Sequence, residues 1–167
     1  GLTSRQVVFT PVFEPHTVNS GGITGSYYSV EDEVETNEGQ PIQPRTSLDI
    51  TMDGETPHGA FFEGGNYRTL ASFDPVVTRV ITEDTDISIW QVEPPYDHRD
   101  IWQPAWWSLV NQVATPEGVK QRLVVIPAQY QSTTPQLGTE RLFDLMNYTV
   151  YYSTTVDIVP PSIWRVD

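Results

Sequence analysis

The sequence contains no cysteine, which excludes a disulfide frame, a thiolate metal site and a cysteine nucleophile together. Stability must therefore come from packing. It has no apolar run of about 18 residues, the length a membrane-crossing helix needs, and its first residues, GLTSRQVV, lack the charged start and apolar stretch of a signal peptide. A soluble, untargeted chain with no membrane partner is expected. Lysine is almost missing: Lys120 and eight arginines face 22 acidic residues, for a formal net charge of −13. Such a surface repels phosphate, so no direct nucleic-acid binding by this chain is expected.

Good helix formers are scarce, whereas 14 prolines, 11 glycines, 8 tyrosines and 5 tryptophans favour strands and turns. A length of 167 residues suits one domain, 1–167, with a core large enough to fold alone. Period-two alternation between turn signals predicts strands over 5–13, 26–34, 46–52, 67–73, 76–82, 86–92 and 121–128. A terminal strand, NYTVYYSTTVDIVPP over 147–161, puts Tyr148, Val150, Tyr152, Thr154, Val156 and Ile158 on one face. Breakers fall between these runs: NSGG (19–22), NEGQP (37–41), DGETPHG (53–59), EGG (63–65), DP (74–75) and EPP (93–95). Eight strands suffice for two packed sheets, an all-β antiparallel β-sandwich. TERLFDLM (139–146) and PAWWSLVNQV (104–113) carry weak helix signals and are expected as short helices within loops. The expected core is the apolar face of 148–158, Val7–Phe13 and Leu123–Ile126.

Signatures of chemistry are few. His16, His58 and His98 lie in different segments without metal-ligand spacing. Asp49, Asp53 and Glu55, like Glu83, Asp84 and Asp86, offer oxygen ligands but not the spacing of a calcium loop. No metal and no cofactor are expected. Asp97, His98 and Asp100 form the one stretch that could hold an acid beside an imidazole, the pairing a hydrolase needs; the competing reading is a polar loop whose charges pair locally. No nucleophile elbow, dinucleotide fingerprint or phosphate loop is present, so the chain is expected not to be an enzyme. The triplet Asn147-Tyr148-Thr149 has the form of a glycosylation acceptor but opens a strongly patterned strand. The acidic run EDEVETNE (31–38) reads as a solvated strand end. Segment 93–120 carries Trp102, Trp106 and Trp107, candidates for a subunit interface or a glycan platform, because aromatics anchor contacts and stack on sugar faces.

The order of segments resembles the jelly-roll coat proteins of small icosahedral viruses, most of all the circovirus-like single-stranded DNA viruses. VVFTPVFEP followed by YYSVEDEVETN, then GNYRTLASFDPVVTRVI, DIWQPAWWSLVNQ and NYTVYYSTTVDIVPP carry the likeness, over about residues 5–159. It implies a viral jelly roll, a virion location, self-assembly with other capsid subunits (a homo-oligomer, with further coat polypeptides) and contact with a host receptor or glycan. The chain departs from that pattern in lacking an arginine-rich arm, with Arg5 the sole basic residue up to the start of the first strand. The expectation is a structural capsid subunit. The alternative is a receptor- or glycan-binding β-sandwich, a viral projection or carbohydrate-binding module.

Overall fold

The longest alternating pattern in the sequence becomes the strand around which the protein is organised. The computed structural model describes residues 2–78, 96–105 and 108–154, and the backbone of 163–166. Strand β11, Gly138–Thr154, pairs along one whole side with β7, Glu55–Phe73, from Gly138↔Phe73 to Thr154↔Glu55. Its other side is shared by two shorter strands. β10, Ala128–Ser132, covers the first part, and β1, Leu2–Phe9, covers the second, from Phe9↔Met146 to Leu2↔Ser153.

A second sheet has the order β12-β8-β9-β6, built from Ile163–Val166, Ser108–Thr115, Gly118–Val125 and Thr46–Asp49. Two ribbons complete the fold: β2, Glu14–Ser20, with β3, Ile23–Ser29, and the short pair β4, Val34–Glu35, with β5, Gln43–Pro44. Every pairing between these strands is antiparallel. The all-β antiparallel sandwich read from the sequence is the fold observed.

The two main sheets bury one shared core. Val7, Phe9, Ala60, Met146, Tyr148, Val150 and Tyr152 of the first pack with Val110, Leu123 and Val125 of the second and with Ile50 just after β6. At about 1.5–3 kcal/mol for each fully buried large side chain, this cluster is the main driving force for folding. Phe9 and Phe62 meet the Tyr148 ring edge-on, with centroids 5.9 and 5.5 Å away. The Tyr152 hydroxyl donates to the Ile50 carbonyl at 2.7 Å, satisfying the polar end of a fully buried ring. A smaller cluster of Phe73, Val77, Tyr96 and Tyr130, backed by Tyr28 and Leu70, fills the far end.

Strand β7 has 19 residues against 17 in β11, and the surplus is taken up in slips of register. β7 carries an extra residue at three places and β11 at one, between Phe143 and Leu145. Such bulges bend and twist a long ribbon so that it can wrap a core. At one of them Ser72 adopts a left-handed φ of 54°.

One expected helix is strand, and the described end of the other, residues 108–113, is strand too. TERLFDLM lies inside β11. The bulge after Phe143 shifts the alternation, so Leu142, Phe143 and Met146 are all buried, a spacing that mimics a helical face. PAWWSLVNQV runs into β8, where pairing with β9 and β12 outweighs its weak amphipathic pattern. No helix occurs among the described residues. The EGG breaker at 63–65 lies within β7, where Gly65 has a structural reason: a Cβ there would stand 2.2 Å from the Leu145 carbonyl oxygen. Residues 79–82 and 86–92, expected as strand, lie outside the described residues, as do residues 155–161 of the terminal strand.

Candidate interaction surface

The tryptophan loop is pinned to the edge of the first sheet. Gln103 and Tyr130 exchange backbone hydrogen bonds of 2.8 and 2.7 Å, the Ser132 amide donates to the His98 carbonyl at 3.0 Å, and the Gln129 side chain donates to the Pro104 carbonyl at 2.9 Å. The chain at 96–105 thus lies against β10. The half-buried Trp102 is covered by the Arg141 guanidinium, 3.6 Å from its ring centroid, and the same group lies 4.9 Å from the Tyr67 ring. Arg141 also donates to Gln129 Oε1 at 3.2 Å. Trp102 is therefore part of a packed aromatic–cation stack. Trp106 and Trp107 lie outside the described residues.

The candidate acid–base stretch resolves into local pairing. Arg99 donates twice to Asp97, Nε to Oδ1 at 2.8 Å and Nη2 to Oδ2 at 3.1 Å, and this guanidinium holds the Asp97 carboxyl below its ordinary value. His98 instead tilts against the Tyr96 ring, 4.6 Å between centroids. Asp49 likewise has a local partner: Thr51 hydrogen bonds lower its pKa, its Oδ1 accepting from the Thr51 amide at 2.9 Å. Glu55 accepts from the Thr3 hydroxyl at 3.1 Å. Among the described residues no three His, Asp or Glu side chains come together at metal-binding range; Glu83, Asp84 and Asp86 lie outside them. The fold does create two Ser–His contacts that spacing could not reveal, His16 with Ser29 at 2.8 Å and His58 with Ser153. Ser29 is 2% exposed and His16 stacks on Tyr27, so the first pair is built into the ribbon and gives no room for a substrate.

The most distinctive surface surrounds a tight turn. Val30 and Glu33 exchange backbone hydrogen bonds of 3.2 and 2.9 Å, which leaves Glu31 and Asp32 as the two central residues of a hairpin turn. Their φ values are 50° and 61°, a left-handed pair that normally calls for Asn-Gly. A glutamate held there costs about 1–2 kcal/mol. The geometry is held by a further hydrogen bond, from the Asp32 amide to Glu14 Oε1 at 3.2 Å.

Clefts open on both sides of this turn. One, about 410 Å³, is lined by Asp32, Glu33, Arg45, Ser47, Asn111 and Arg122, with Arg45 paired to Glu35 at 3.5 Å. The other, about 250 Å³, is lined by Val8, Phe9, Val12, Val30, Glu31 and Leu48. Val8, Val12 and Leu48 are 49%, 78% and 40% exposed, an unusual grouping of open aliphatic side chains. Neither the turn nor the clefts were legible locally, since the clefts join segments from five different parts of the chain; only the acidic run EDEVETNE pointed to this region.

No family model matches the chain, and no curated protein does. Solved structures do. A complex of the Porphyromonas gingivalis RgpB pro- and mature domains aligns over 93% of this chain and 86% of the matched one, with a TM-score of 0.63 at 14% identity. The fold is shared with gingipain pro-domains. A second alignment, to gingipain K from the same organism in a study of its zymogenic latency, covers 91% of this chain and 88% of that one, with a TM-score of 0.59 at 15% identity.

The gingipain pro-domain likeness corrects the resemblance to viral coat proteins. The capsid-subunit function, the virion location and the capsid-subunit and receptor partners are overturned with it, and the alternative of a glycan- or receptor-binding module is left without support. The physical reason lies in the segments that carried the likeness. YRTLASF and NYTVYYS are stretches of the paired β7 and β11, and alternating strands between proline turns are what any antiparallel sandwich requires.

Proposed function

We propose that this chain acts as a pro-domain: a β-sandwich that docks on a protease catalytic domain and keeps it latent. The observation that carries this reading is the shared fold, which spans 93% and 91% of the chain against pro-domains of two protease zymogens. A latency domain binds and covers; it turns nothing over. The local pairing of Asp97 with Arg99, away from His98, supports that non-enzymatic role.

The contact surface is the face around Glu31 and Asp32. Exposed Val8, Val12 and Leu48 supply an apolar centre and the acidic turn supplies a charged rim, the arrangement of a specific protein interface. A net charge of −13 steers a basic partner face toward it and sets the orientation of approach. Trp102, stacked under Arg141, contributes packing rather than first contact.

The test is inhibition. Immobilised chain should retain from extracts of its source cells a polypeptide whose peptidase activity is recovered on elution and suppressed when free chain is added back. The Val8→Asp/Leu48→Asp double variant should retain much less of it. A chain that suppresses no peptidase activity in those extracts, nor that of the mature domains of RgpB and gingipain K, would sink the reading.

A further inference from the structure

Among the described residues Glu140 is the most anomalous side chain. It lies on β11 between Tyr130 of β10 and Leu70 of β7, and it is fully buried. Its Oε1 accepts one hydrogen bond, from Gln43 Nε2 at 3.0 Å, while Oε2 has no partner. Gln43 is 2% exposed and belongs to the β4–β5 ribbon; its Nε2 also reaches the Gln103 carbonyl at 3.3 Å, and its Oε1 has no partner either.

An ionised carboxylate is a poor fit for this site. A buried charge needs a countercharge or several donors, and Glu140 has one amide. Around it, β10 presents the Tyr130 ring, β7 presents Leu70, β5 presents Gln43 and the 96–105 loop presents a backbone carbonyl. The next residue, Arg141, is engaged with Trp102, Tyr67 and Gln129. Asp74 and Asp97 are the charged groups that, with Glu140, act on Tyr130, and both are negative. The other buried side-chain atoms without a partner among the described residues are Thr78 Oγ1, the Tyr96 hydroxyl and Arg141 Nε. Within the Glu140–Gln43 pair the two orphaned atoms, Glu140 Oε2 and Gln43 Oε1, are both acceptors, so the pair is short of one donor. A proton on Oε2 supplies it, and the amide that already donates to Oε1 carries the orphaned acceptor.

We propose that Glu140 is protonated in the folded protein at neutral pH and that this proton is a latch, tying the β4–β5 ribbon and the 96–105 loop to the central strand. Burial acts in the same direction, pushing the carboxyl well above its ordinary value of 4.5 and outweighing the hydrogen bond from Gln43. The sign follows from linkage. The folded state holds a proton that the unfolded state releases, so the stabilisation is complete below about pH 4.5 and is lost as pH rises through the folded pKa. The ribbon and loop are therefore firmest in mild acid and loosen with alkalinity.

The experiment compares the full chain with E140Q, which mimics the neutral acid, by urea denaturation at steps between about pH 5 and pH 9. The wild-type midpoint should fall with pH by more than that of E140Q, which still contains Asp74, the other carboxyl raised by burial among the described residues. Hydrogen exchange at 34–44 and 96–105, corrected for its intrinsic pH dependence, should accelerate in the wild type alone. Equal pH slopes in the two proteins overturn the proposal. If E140Q does not fold, carboxyl-labelled NMR of the wild type decides: a glutamate that keeps a neutral-acid shift at pH 7 upholds the latch, and glutamates that all titrate in the ordinary range, about 4.3, overturn it.

Discussion

Individual side chains divide into those that sequence can read and those that only the fold explains. Trp102 was legible as an aromatic with something to do, yet its partner, Arg141, is 39 residues away and met only through β11. Removing the ring in Trp102→Ala should cost about 1–3 kcal/mol, below the cost for a fully buried tryptophan because Trp102 is half-buried, and should be read by urea denaturation. The Glu31-Asp32 turn makes the opposite prediction. Replacing the pair by Asn-Gly relieves a left-handed glutamate and should raise stability by about 1 kcal/mol. The same change removes two exposed carboxylates from the proposed contact face and should weaken capture of the protease. A variant that is neither more stable nor weaker in capture would show that the turn is ordinary. Glu140 stands apart: it lies within TERLFDLM, expected as a short helix, and nothing local shows that Gln43 and Tyr130 will enclose it.

At the level of strands, the alternation was sound where β11 itself carries no extra residue and misleading where it does. Tyr148, Val150 and Tyr152 are buried and Tyr151 is exposed, as period two requires. One extra residue near Asp144 was enough to make the start of the same strand look helical. The glycines at 63–65 misled for a related reason, being read as a turn when Gly65 is demanded by the close approach of two backbones. Gly65→Ala should force the β7–β11 ladder apart at Leu145 and cost at least about 2 kcal/mol, since a backbone carbonyl cannot rotate away as a side chain can. Protease resistance and the thermal midpoint should fall together; an unchanged midpoint would mean that the ladder yields freely there.

For the molecule as a whole, composition was sufficient to give the sandwich, because a chain rich in strand and turn residues and lacking disulfides has few ways to bury a core. The likeness to gingipain pro-domains was not legible, since strand spacing constrains architecture and leaves partners undetermined. The shared core predicts a global response: Val150→Asp places an unpaired carboxylate at a fully buried position between the sheets and should leave the chain unfolded, with loss of the native circular dichroism spectrum. The placement of β11 has a further consequence, for synthesis. β1, β7 and β10 all depend on a strand that begins only at Gly138, so on the ribosome none of the first sheet can close while the preceding residues emerge. Throughout that interval three strands present open edges. A ribosome stalled before residue 138 should therefore display a polypeptide far more sensitive to protease than one stalled beyond the end of β11.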